Sequence, residues 1–96
     1  MPEPHEETVI LRHVFDQAHK WLCAKGEVAI TTAAGTDFTA RAELTKRGPH
    51  AGEPVIRFFQ GRVEYGRSYE CCWGHYYNCY RTRIGMYCRA LDLAIR

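Results

Sequence analysis

Apolar residues near the start of the chain recur every three or four positions, which is the period of an amphipathic helix. They are Ile10, Leu11, Val14, Phe15, Ala18, Trp21 and Leu22. Gly26 suits the end of this helix, because glycine readily adopts the left-handed conformation found there. We predict an N-terminal helix preceded by a flexible tail of residues 1–7. His13 and His19 are interpreted as solvated histidines on its surface.

After Glu27 the period changes from about 3.6 residues to two, which is typical of β-strands. Four such segments follow in chain order, EVAIT, FTARAEL, EPVIRFFQ and RVEYGRSYE, with glycine-containing turns between them. The third has apolar residues on both faces, whereas a strand with one solvated side alternates cleanly. We infer that its second face is covered, either by the aromatic segment that follows or by another copy of the chain.

The last segment, RTRIGMYCRALDLAIR, returns to helical spacing, with Thr82 or Asn78 as its N-cap. Gly85 lies inside this helix, where a glycine allows close approach to another backbone. With 96 residues the chain has room for one core. The patterns predict a single α+β domain over residues 1–96, a four-stranded antiparallel meander with an N-terminal and a C-terminal helix packed on one face.

Charge is distributed unevenly along the chain, although the formal net charge is only +2. Residues 1–40 hold three Lys/Arg and six Asp/Glu, and residues 41–96 hold ten and five. So small a net charge does not indicate a nucleic-acid or membrane-surface protein. We interpret the asymmetry as association of unlike halves, within the monomer or between subunits. Arginine supplies nine of the ten basic residues after residue 40, which favours bidentate and stacked contacts.

The five cysteines bear on the compartment in which the protein acts. The chain opens MPEPHEETVILRH, without the charged and then apolar pattern of a secretory leader. It also has no apolar run near 18 residues, so we expect no membrane span. We therefore expect a cytoplasmic location in which the thiols stay reduced.

The segment CCWGHYYNC, residues 71–79, contains three residue types that bind zinc. Cys72, His75 and Cys79 have the spacing C-x2-H-x3-C, but zinc prefers four ligands in a tetrahedron. A fourth would have to come through the fold, from one of Cys88, His50 and His5. Because the motif is incomplete, no metal is favoured and no cofactor is expected, with zinc as the alternative.

The same segment offers a nucleophile and a base, since Cys72 and His75 can meet across a turn at Gly74. Asn78 would orient the histidine, and the neighbouring arginines would lower the pKa of a thiol. Cys71 and Cys72 could instead form a vicinal disulfide. Local Cys-x-x-His spacing is common by chance, so an enzyme or redox protein is the alternative hypothesis and not the leading one.

Arginines and aromatic residues are interleaved around the segment, with five arginines and eight aromatic residues between positions 57 and 83. Such a surface suits a flat ligand or single-stranded nucleic acid, although no RNA-binding signature accompanies it. The predicted ligand-binding residues are Trp73, His75, Tyr76, Tyr77, Asn78, Arg67, Arg81 and Arg83. The plainer interpretation is that the aromatic residues close the end of the sheet or form a subunit interface.

The second half of the chain resembles a group of small uncharacterised bacterial proteins found in mobile gene cassettes, including integron cassettes. Their recurring CCWGH…NC…RT…IG segment matches Cys71–His75, Asn78, Cys79, Arg81, Thr82, Ile84 and Gly85. The resemblance implies a compact cytoplasmic protein that forms a homo-oligomer, and it transfers no catalytic residue. Our leading hypothesis is an interaction domain that forms a homodimer through the second face of the sheet or the aromatic segment.

Overall fold

The computed structural model describes the backbone of residues 4–96 and the side chains of residues 11–96. Its elements are α1 (Pro4–Lys25), β1 (Val28–Thr31), β2 (Asp37–Leu44), β3 (Pro54–Gln60), β4 (Val63–Tyr69), α2 (Glu70–Asn78) and α3 (Arg83–Ile95). The four strands pair antiparallel in the order in which they occur along the chain. The predicted α+β meander is therefore confirmed, and α2 is an additional helix in place of the expected aromatic loop.

The beginning of α1 corrects one part of the prediction. Residues 4–7, which were expected to be a flexible tail, belong to the helix, and residues 1–3 lie outside the described residues. The helix ends as predicted, because Gly26 has a φ of 82° and its N–H donates to the Leu22 carbonyl at 2.7 Å.

The core lies between one face of the sheet and the helices. The sheet contributes Ile30, Phe38, Ala40, Ile56 and Phe58, and the helices contribute Phe15, Ala18, Leu22, Trp73, Tyr87, Cys88 and Leu91. At its centre the rings of Phe38 and Tyr87 stack with centroids 4.1 Å apart. Both helices predicted from the sequence, together with α2, thus bury their apolar faces against the same side of the sheet.

The face of the sheet opposite the core, which we call the second face, is covered largely by the chain's own charged side chains. Phe59 and Val55 are buried here, and the guanidinium groups of Arg41 and Arg57 lie 4.7 and 5.0 Å from the Phe59 ring centroid. Near the end of β4, His50 stacks on Tyr69 with centroids 4.1 Å apart. The apolar residues on this face therefore need no second subunit to shield them from water.

Arg57 lies between two carboxylates on this second face. Its guanidinium donates to Glu43 at 3.1 Å and, through Nε, to Glu64 at 3.0 Å, while Arg67 donates to Glu64 at 2.7 Å. A bulge between β3 and β4 leaves Tyr65 unpaired and keeps Glu64 on the same face as Arg57. Burial acts to raise the pKa of Glu64, but the hydrogen bonds and charges of Arg57 and Arg67 outweigh it and hold that pKa below its ordinary value.

The charged network predicts a pH-dependent stability. The carboxylate of Glu64 has a folded-state pKa below the ordinary value of 4.5, so its stabilisation is complete above that value and is lost as pH falls through the folded pKa. We expect Glu64→Gln to lower the free energy of unfolding by about 1–2 kcal/mol at pH 7. Urea titrations should show the difference shrinking toward zero below about pH 4.

A matched control for Glu64→Gln is Glu53→Gln. Glu53 pairs with His50 at 2.9 Å, but both side chains are exposed, so the substitution should change stability by less than about 0.5 kcal/mol. A Glu64→Gln deficit that stays constant from pH 7 to pH 3 would show that the ion pairs do not cause it.

Candidate functional site

The segment CCWGHYYNC forms most of α2, which follows β4 without a linker. Tyr69 is both the last residue of β4 and the N-cap of α2. The Tyr69 N–H donates to Cys72 Sγ at 3.1 Å, and Ser68 Oγ lies 3.7 Å from the same sulfur. Glu70 in the first turn complements the positive end of the helix dipole. The thiol of Cys72 therefore takes part in starting the helix.

The three predicted metal ligands do not come together. His75 Nε2 lies 4.0 Å from Cys79 Sγ, one helical turn away, while Cys72 Sγ is directed toward the backbone of Tyr69. Across residues 11–96, no three His, Cys, Asp or Glu side chains form a group that could hold a metal ion. The predicted fourth ligands do not join them either, since Cys88 is buried in the core and His50 pairs with Glu53. His5 has a side chain outside the described residues.

No hydrogen bond joins the predicted nucleophile and base among the described residues. The Cys72 thiol contacts Ser68 and Tyr69, and His75 contacts Cys79 and Tyr76 instead. All five cysteines are free thiols. Desolvation, followed by the nearby Cys72 and Glu53, raises the pKa of Cys71, which opposes the activation expected from neighbouring arginines.

The aromatic residues of α2 divide between the core and the surface. Trp73 is fully buried, and its ring packs edge-on against Phe15 with centroids 5.5 Å apart. Tyr76 and Tyr77 are half-buried, and the Tyr77 hydroxyl donates to Asp92 at 2.8 Å. His75 and Asn78 are exposed. The Trp73 side chain therefore packs in the core beneath this surface and is not exposed on it.

The junction between α2 and α3 is tight. Thr82 is the N-cap of α3, as one of the two predicted caps, and its Oγ1 accepts from the Gly85 N–H at 3.0 Å. Gly85 lies so close to the end of α2 that an added Cβ would be 2.6 Å from the Tyr76 carbonyl oxygen and closer still to that of Cys79. The expected close approach at this glycine is present, and it fixes α3 against α2.

The predicted arginines occupy different places. Arg83 stacks over Tyr65 at 4.3 Å, and Arg81 is exposed at the α2–α3 junction. Arg67 lies on the second face of the sheet, where it is paired with Glu64, and it is not grouped with Arg81 or Arg83. The eight predicted ligand-binding residues therefore do not form one continuous surface.

Arg89 was not among the predicted residues, yet it organises the exposed surface at this end of the molecule. Its guanidinium lies 4.5 Å from the ring centroid of Tyr77 and 5.1 Å from that of Tyr80, and its Nε–H donates to the Tyr77 carbonyl at 2.9 Å. We call Tyr77, Tyr80 and Arg89 the Tyr–Arg surface. The contact joins residues 12 apart, so no local spacing in the sequence indicates it.

An apolar groove of about 300 Å3 adjoins the Tyr–Arg surface. It lies between the β1–β2 turn and α3 and is lined by Ala33, Ala34, Tyr80, Met86, Ala90 and Leu93. Leu93 is 67% exposed and Tyr80 is 52% exposed. We call this the α3 groove. Together with the Tyr–Arg surface it presents aromatic, aliphatic and cationic groups on α2, on α3, on the short connection between them and on the β1–β2 turn.

Comparisons with protein-family models, with curated proteins and with solved structures find no match to this chain. Within residues 4–96, no helix has both the length and the apolar character needed to cross a bilayer. Any functional conclusion therefore depends on the geometry described above.

Proposed function

We propose that this chain is a self-associating interaction domain whose interface is the α3 groove together with the Tyr–Arg surface. The observation that carries the proposal is the position of Leu93 and Tyr80, two large exposed apolar side chains beside an apolar groove. A surface that holds both a projection and a recess can pair with its own copy about a two-fold axis. Tyrosine and arginine are enriched among the residues that contribute most to binding, and Leu93 adds apolar surface that a partner would bury.

The charges near the groove are compatible with pairing between two copies. Arg89 lies on the Tyr–Arg surface, while Asp92 on the same helix is bound by Tyr77 and by Arg96 at 2.9 Å. Asp92 is buried and already paired, so Arg89 is the charge that this surface presents, and a two-fold arrangement can keep the two copies of Arg89 apart. Stacking on the tyrosines already orients Arg89 before any partner arrives.

The second face of the sheet supports a dimer less well than the α3 groove does. Docking another sheet there would desolvate Arg57, Glu43 and Glu64, which form ion pairs at the surface. The arginine side chains would also have to leave the Phe59 ring before a partner could contact it.

Single-stranded nucleic acid is disfavoured on similar grounds, because most arginines of the region are already paired or stacked within the chain. Part of the same proposal is that the protein acts in the bacterial cytoplasm, like the cassette proteins that its second half resembles.

The experiment is a measurement of mass in solution with paired variants. At about 50 µM, analytical ultracentrifugation should give a dimer for the wild-type chain and a monomer for Leu93→Asp, since a carboxylate buried in an apolar interface costs several kcal/mol. Val63→Asp is the matched control, because Val63 is 59% exposed but lies on β4. It should remain dimeric, and both variants should keep the wild-type circular dichroism spectrum, which would show that they are folded. A monomeric wild-type chain, or a dimer that only Val63→Asp dissociates, would overturn the proposal.

A further inference from the structure

A second Cys–His pair lies far from CCWGHYYNC, near the C-terminal end of α1. Cys23 Sγ is 3.6 Å from His19 Nδ1, one helical turn away, and Cys23 is exposed. His19 Nε2 lies 3.0 Å from the backbone carbonyl oxygen of Glu43, on β2. Because a carbonyl oxygen only accepts, Nε2 carries the hydrogen of the neutral ring and Nδ1 presents its lone pair to the thiol. His19, expected to be a solvated histidine, is thus held in position by the sheet.

This arrangement has the three parts of an activated nucleophile: a thiol, a base within reach, and a group that orients the base. In the pair formed by Cys79 and His75, the distance from Sγ to Nε2 is longer, at 4.0 Å. No second group among residues 11–96 forms a hydrogen bond that would orient the His75 ring.

A groove of about 720 Å3 opens beside this pair. Its lining includes both members of the pair, His19 and Cys23, together with Leu44, Lys46, Arg47 and Arg67. We call it the α1 groove. Leu44 is 61% exposed and supplies apolar surface, and Lys46 and Arg47 are exposed cationic residues of the lining, whereas Arg67 is paired with Glu64. Such a groove suits a small organic anion.

The carboxylate of Glu43, which also lines the α1 groove, does not cancel this positive character. Arg57 contacts it at 3.1 Å and Arg41 at 2.6 Å. Burial acts to raise the pKa of Glu43, but the hydrogen bonds and charges of Arg57 and Arg41 outweigh it and keep the pKa below its ordinary value.

We propose that Cys23 and His19 form a reactive thiol site that undergoes exchange with small anionic disulfides. The Cys23 thiol gives its proton to His19 Nδ1, and the sulfur attacks one sulfur of the bound disulfide. The bond between the two ligand sulfurs breaks, and the departing thiolate takes the electron pair and then the proton from His19. The products are a mixed disulfide at Cys23, which is oxidised, and one released thiol, which is the reduced half of the ligand.

The test measures how fast each cysteine of the intact chain reacts with two disulfide probes at pH 7. One probe, a dithiobis(nitrobenzoate), carries carboxylates, and the other, a dipyridyl disulfide, is neutral. After acid quenching, tryptic peptides separate the sites, because residues 21–25 contain Cys23 alone and residues 68–81 contain Cys71, Cys72 and Cys79. We expect Cys23 to react faster than those cysteines, and His19→Gln to slow it about tenfold or more. The matched control, His75→Gln, should leave the Cys23 rate unchanged.

Two further measurements keep the proposal falsifiable if His19→Gln is poorly folded. In the wild-type chain the Cys23 reaction should persist to a lower pH than the reactions of the cysteines in residues 68–81, because a base accepts its proton. The double substitution of Lys46 and Arg47 by Gln should slow the anionic probe several-fold and leave the neutral probe unchanged. Equal reactivity of Cys23 and the cysteines of residues 68–81, the same pH profile for both peptides, or an equal loss for both probes would overturn it.

Discussion

Gly85→Ala is expected to lower the free energy of unfolding by about 3 kcal/mol or more, at the upper end of what overpacking costs. The added methyl group would meet two backbone carbonyl oxygens at the end of α2, those of Tyr76 and Cys79. Backbone atoms cannot rotate away as a side chain can, so α3 would have to move, and Thr82 would lose its capping geometry. Chemical denaturation followed by circular dichroism measures the loss.

Gly74→Ala provides the matched control for Gly85→Ala. Gly74 also lies inside a helix, but a Cβ there would meet only the Leu11 side chain, at 3.2 Å. Alanine stabilises a helix by about 1 kcal/mol relative to glycine, which offsets a small shift of Leu11. We expect a change within about 1 kcal/mol. If Gly85→Ala were as mild as Gly74→Ala, the close packing of α3 on α2 would be refuted.

Trp73→Ala is expected to destabilise the chain by about 3–5 kcal/mol, the usual range for removing a buried aromatic side chain. Trp73 is fully buried and contacts Phe15 of α1 and Tyr77 of α2, so its loss would leave a cavity between these helices. Since the whole stability of so small a domain is about 5–10 kcal/mol, the substitution would remove about a third of it or more and lower the unfolding temperature. Thermal unfolding followed by circular dichroism gives the size of the effect.

Two substitutions distinguish this structural role from the ligand contact predicted from the sequence. Trp73→Phe keeps an aromatic ring in the core and should cost less than Trp73→Ala. His75→Ala changes an exposed side chain of the same helix and should alter stability by less than about 0.5 kcal/mol. A Trp73→Ala variant with wild-type stability would mean that the ring is not in the core.

The strands and terminal helices could be predicted because their burial is periodic in the sequence. Phe38 and Ala40 alternate with exposed or half-buried residues, as a sheet with one dry face requires. α2 could not be predicted in this way, since only Trp73 of its nine residues is buried and a glycine interrupts it. Contacts with α1 and the capping thiol of Cys72 hold that helix, and neither leaves a local pattern.

Proximity along the chain does not determine which side chains of the candidate sites are in contact. Cys72 and His75 are three residues apart, but the thiol contacts the backbone at the start of its own helix. Cys23 and His19 are no more conspicuous in the sequence, and the group that orients His19 is a carbonyl 24 residues away. Arg89 likewise gains its role only when α3 packs against α2. Tertiary structure thus determines which of several similar Cys–His pairs has a histidine held in place by a third group.

The absence of a linker between β4 and α2 has a consequence for how this chain can evolve. Most connections between elements tolerate an insertion, because a loop can absorb the extra residue. Here one residue added between Tyr69 and Glu70 would rotate all of α2 by about 100° relative to the strand, since a helix has about 3.6 residues per turn. That rotation would bring Trp73 into solvent and swing Tyr77 away from α3. The number of residues at this junction therefore determines which face of α2 is turned toward the core, and it matters more than which residues they are.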